Sequence, residues 1–154
     1  MRAYYLPLAA GAVLAASAFM PRLHVGGVAV GGVPAMSAFW TLALGLAAML
    51  LASLSVITRR NSRHPLLLVG LVALGIEFLG WQWMKHSAAE RAWVSAQAAA
   101  IVGGSQPVEP APATLSVGLY LGLAAAAVIA AFGLTIVVRQ ASIPYAAPQD
   151  DDIE

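Results

Sequence analysis

The chain has 154 residues, 60% of them hydrophobic and 10% charged, with a formal net charge of +1 and no cysteine. Soluble domains carry roughly a quarter charged residues, so an ordinary water-facing globule, a disordered chain and a basic nucleic-acid binder are excluded. Without cysteine there is no disulfide framework, thiolate nucleophile or iron–sulfur cluster.

Such a composition belongs in a bilayer, where a helical span needs roughly 20 mostly apolar residues. Four stretches have that form, at about 4–20, 34–57, 65–84 and 115–138. Backbone polar groups in lipid must be satisfied within the segment, so each is expected to be helical. The predicted fold is an all-α integral membrane protein, a four-transmembrane-helix bundle over residues 1–139, with residues 140–154 a flexible acidic cytoplasmic tail.

The first stretch runs from Tyr4 to Met20 and is closed by Pro21 and Arg22. Arg2, the apolar run and Ala16-Ser17-Ala18 also have the form of a secretory signal with a cleavage site. The stretch is expected to stay in place as an uncleaved span. Next comes RLHVGGVAVGGV at residues 22–33, whose alternating valines and glycine pairs predict a short extended or hairpin segment at the outer interface. His24 lies within it.

The second stretch is closed by Arg59 and Arg60, and with Arg63 these make the link RRNSRHP the densest basic segment of the chain. The positive-inside rule places that link in the cytoplasm, together with both termini. Arg22, Lys85 and Arg91 then fall on the outer side, and the setting is a membrane of the bacterial cytoplasmic type.

The third stretch holds Glu77, the one ionisable residue at membrane depth, and such residues raise a functional hypothesis. Helical spacing groups it with Gly70, Ala73, Gly80, Trp81 and Met84. Thr41 and Tyr120 fall at similar depth in the second and fourth stretches. No Lys, Arg or His shares that layer, so the expectation is a neutral carboxyl clamping helices through hydrogen bonds.

Residues 85–114 form the longest connection. Ser87-Ala-Ala-Glu90 has the S-x-x-E form of a capping box, which predicts an outer interfacial helix running to Gly103-Gly104, or else a prolongation of the third span. SQPVEPAPAT then reads as an extended strap.

The fourth stretch carries Gly118, Gly122, Ala126 and Ala130 at intervals of four, a stripe that can seat a neighbouring helix closely. The opposite face, with Leu119, Leu123 and Val137, is expected to look at lipid or a partner.

No GxSxG, HExxH or Walker-type run is present, and no enzymatic activity is expected. The composition points to a non-catalytic accessory or scaffolding subunit among other integral membrane subunits, respiratory or photosynthetic. One alternative is a cofactor-binding subunit in which His24, His86, Trp81 and Trp83 face a haem, pigment or quinone. Another is a small oligomeric transporter or channel with Glu77 in its path. No metal site is expected.

Overall fold

The computed structural model describes residues 2–25, 28–59, 63–104 and 112–141. It is mostly helical (81%). A short 3₁₀ turn, Arg2–Tyr4, leads into α1 (Tyr5–Ser17), followed by β1 (Leu23–Val25), β2 (Val28–Val30), α2 (Met36–Thr58), α3 (Arg63–Gly103), β3 (Thr114–Leu115) and α4 (Val117–Ala141). The expected tail continues α4 through Ala141; the rest of it and most of the proline-rich strap lie outside the described residues.

Three helices, α2, α3 and α4, are long and apolar enough to cross a membrane. The first expected span is shorter than foreseen. Its helix has 13 residues, about 20 Å at 1.5 Å per residue. Pro7 sits in the first turn, where its missing N–H is not needed. The other end is closed by a turn in which Ala18, Phe19 and Met20 donate back to Ala15, Ala16 and Ser17.

Helices α2 and α3 end on left-handed backbone. Arg59 has φ 57° and Gly104 has φ 65°; only the second has a residue suited to that conformation. The expected break near Lys85 does not occur. Helix α3 is continuous for 41 residues, about 60 Å, so the foreseen interfacial helix is the prolongation of the third span. Ser87 does not cap a helix start; its hydroxyl donates to the carbonyl of Trp83 within α3. A serine inside a helix satisfies itself in this way as readily as at a cap.

The helices pack in a ring: α1 against α2 and α4, and α3 against α2 and α4. Small residues bring the backbones together, as the stripe on α4 foretells. A Cβ added at Gly45 would lie 2.6 Å from the backbone nitrogen of Ala15, and one at Gly70 would lie 2.5 Å from that of Ala130. Gly118, Gly122, Ala126 and Ala130 are all buried, and Gly133 continues their face against Leu67. Leu119, expected to face outward, is instead 1% exposed. The buried strip on α4 is wider than the small residues alone because α1 and α3 flank it from two sides. Leu14, Leu66, Val69, Ala126, Ile129 and Phe132 form the centre of the core. Tyr4 meets Phe132 edge-on at 5.2 Å, and the Arg63 guanidinium lies over the same ring at 5.5 Å.

The segment after α1 is extended, and it is more than a hairpin. Leu23 pairs with Val30 and Val25 with Val28, while β3 adds on the other edge of β1 to give the order β2-β1-β3. Leu23 and Val25 are buried and His24 between them is half-buried, the period-two alternation of a sheet with one covered face. Strand β3 is only two residues long, too short to announce itself in the sequence.

Candidate functional site

Four elements converge on the carboxyl group of Glu77. The chain leaves α1 through Pro21 and Arg22 and enters β1 at once, and the backbone of Arg22 is held on both sides. Its N–H donates to Val30 O at 3.1 Å and its carbonyl accepts from Ser116 N at 2.9 Å. Gly118 N donates to Pro21 O at 3.2 Å, an approach a side chain would block, since a Cβ there would stand 2.6 Å from that oxygen. The sheet and the start of α4 thus fix the root of Arg22 and leave its side chain one direction, into the bundle.

There the Arg22 guanidinium donates from Nη2 to Glu77 Oε1 at 2.9 Å and to Thr41 Oγ1 at 2.7 Å. Thr41 Oγ1 lies 2.7 Å from Glu77 Oε1 and 3.1 Å from Ser37 O; its single proton serves one of them, and the carboxylate is closer. Arg22 and Glu77 are both 0% exposed, and Thr41 is 1% exposed. Gly122 supplies the fourth wall, where a Cβ would come within 3.0 Å of the Glu77 carboxyl carbon. The small-residue stripe on α4 therefore makes room for the acid as well as for a helix.

This corrects the expectation of a neutral, cation-free carboxyl. The positive-inside rule places Arg22 on the outer side, yet its long side chain reaches the layer of Glu77 and forms a buried ion pair. Thr41 shares the layer and the contact. Tyr120 does not: it is 57% exposed on the outside of the bundle.

The energetic balance is mixed. Charge-assisted hydrogen bonds are the strong ones, but Arg22 Nε, Arg22 Nη1 and Glu77 Oε2 are buried with no partner among the described residues. Each such orphan offsets part of the gain. A buried pair of this kind is weak as net stabilisation and strong as a fastener, because losing either half leaves a bare charge in a dry site.

The remaining candidates are dispersed. His86 lies on α3 within 3.2 Å of Glu90, both side chains largely exposed, whereas His24 is in β1. Trp81 is half-buried, edge-on to Phe78 at 5.6 Å, with its indole N–H buried and without an acceptor among the described residues. Trp83 is 76% exposed. Among the described residues no group of three or more His, Asp or Glu could hold a metal ion. Position in the chain concealed Arg22, which stands beside a proline at the end of an apolar helix. The available signal was a lone intramembrane acid, which calls for a cation from whichever loop can reach it.

No protein family, curated protein or solved structure matches this chain.

Proposed function

We propose that the chain is a non-catalytic accessory subunit of a larger integral membrane assembly, embedded by four helices with both termini and the basic 59–63 link on the cytoplasmic side. The observation that carries this reading is the far end of α3. Residues 85–103 continue the helix beyond its apolar span, about 28 Å of further length, and expose Trp93, Val94, Ile101 and Val102 at 41, 63, 82 and 89%. Large apolar side chains exposed on the part of a helix beyond its apolar span are the kind of surface that a protein partner covers.

The Arg22–Glu77 pair supports a structural role for the one intramembrane acid. Its nearer oxygen is occupied from two sides, so it fastens α2 and α3 to the sheet. The test is purification from native membranes in a mild detergent. Recovery with stoichiometric membrane partners is expected, and recovery solely as a lone monomer overturns the reading.

A further inference from the structure

Between the strand pair and the extended part of α3 lies an open groove of about 660 Å³, within the size range of sites for small organic ligands. Its two sides differ in character. On the side of the strands and α2 are Val25, Val30 and Met36, the last being the first residue of α2 and 72% exposed. On the facing wall are Ser87, Arg91 and Ser95 of α3.

Arg91 is the one charged residue among the lining residues and makes no ion pair with any described residue. The serines have already donated their protons, Ser87 to Trp83 O and Ser95 to Ala92 O, so each hydroxyl offers only lone pairs to a ligand. One cation beside hydroxyl acceptors, facing an apolar wall, is complementary to a molecule with an anion, a donor and a hydrocarbon end.

Depth selects among such molecules. Met36 opens the apolar run of α2 and so marks the hydrocarbon edge, while Arg91 is seven residues beyond Met84, about 10 Å further out and at the level of lipid headgroups. We propose that the groove binds one phospholipid of the leaflet it faces. Its phosphodiester pairs with Arg91, its headgroup hydroxyl or ammonium donates to Ser87 or Ser95, and the upper part of one acyl chain lies along Val25, Val30 and Met36. The uncapped N-terminus of α2, with no acidic residue in its first turn, adds a smaller attraction for the phosphate.

Occupancy reaches the interior through two shared residues. Val30 lines the groove and accepts the N–H of Arg22, and Ser37 lines it and lies within reach of the Thr41 hydroxyl. The proposal concerns the isolated chain and does not depend on a protein partner.

The experiment uses the full chain, delipidated in dodecyl maltoside and titrated with short-chain phosphatidylglycerol while adducts are followed by native mass spectrometry. A saturable one-to-one adduct is expected. Arg91→Gln is expected to weaken it by roughly tenfold, the loss of one charge-assisted hydrogen bond, with an unchanged melting temperature because Arg91 is exposed. Ala88→Trp, which fills the groove, is expected to abolish it. Diacylglycerol of the same chain length is expected not to bind, and glycerol 3-phosphate not to compete. Equal affinity of Arg91→Gln and the parent chain overturns the proposal, as does equal binding of diacylglycerol. Effective competition by glycerol 3-phosphate overturns the lipid assignment in favour of a soluble phosphate ester.

Discussion

Arg22, Thr41 and Glu77 come from three separate segments and meet at a single oxygen, so substitutions at the three positions should act as a unit. Glu77→Gln keeps the shape and removes the charge, leaving the Arg22 guanidinium buried without a counter-ion. A loss of about 3 kcal/mol or more is expected, measured by reversible unfolding in mixed micelles. Combining Arg22→Met with Glu77→Leu should recover most of that loss, since an apolar pair of similar volume carries no desolvation cost. If the double variant is no better than the single one, the ion-pair account of the site is wrong. Thr41→Val removes one donor and one acceptor and should cost about 1–2 kcal/mol. The shared depth of Thr41 and Glu77 was legible from helical rise alone. Arg22 was not, because counting basic residues loop by loop treats each as solvated, whereas a long aliphatic stem lets a guanidinium sit far from its own Cα.

At the level of the helix, glycines divide by what stands opposite them. Gly70 and Gly133 press on the backbones of Ala130 and Leu67, each with room for less than a methyl group, whereas Gly75 and Gly80 have nothing within 4 Å of an added Cβ. Gly70→Ala and Gly133→Ala should therefore each destabilise by about 1–3 kcal/mol through forced separation of α3 and α4. Gly80→Ala should be neutral or stabilise by up to about 1 kcal/mol through helix propensity. The same unfolding measurement separates the two groups, and equal effects would refute the close-contact account. The buried stripe on α4 could be read from its spacing of four, but a stripe names a face and not the neighbour that fills it. The unbroken course of α3 could not be read, because Ser87-Ala-Ala-Glu90 fits a helix start and a helix interior equally well.

For the molecule as a whole, the class was legible in composition: three helices are long and apolar enough to cross a membrane, and the outer faces of the bundle expose Leu50, Ile57 and Leu68 by more than half, a surface suited to lipid. Order around the ring and the projection of α3 are three-dimensional facts with no periodic signature. Two whole-molecule outcomes follow. Reporters fused before Arg2 and within the 59–63 link should both report the cytoplasm if α1, despite its 13 residues, completes a crossing; an N-terminal reporter on the other side would show that it does not. Ile101→Asp with Val102→Asp should abolish recovery with membrane partners while leaving the melting temperature unchanged, because both side chains are more than four-fifths exposed. Retention of the partners by that variant would place the interface elsewhere.

The span of chain between Arg22 and Glu77, 55 positions, also imposes an order on biogenesis. Arg22 leaves the ribosome well before its counter-charge exists, and two apolar helices must be made before the pair can close. An unpaired guanidinium in hydrocarbon is costly, so Arg22 is expected to stay hydrated at the interface until then. The sheet that roots it is completed only by Thr114 and Leu115, later still. Insertion of the helices and burial of Arg22 are therefore successive events, and the second is the moment at which the nascent chain acquires its final packing.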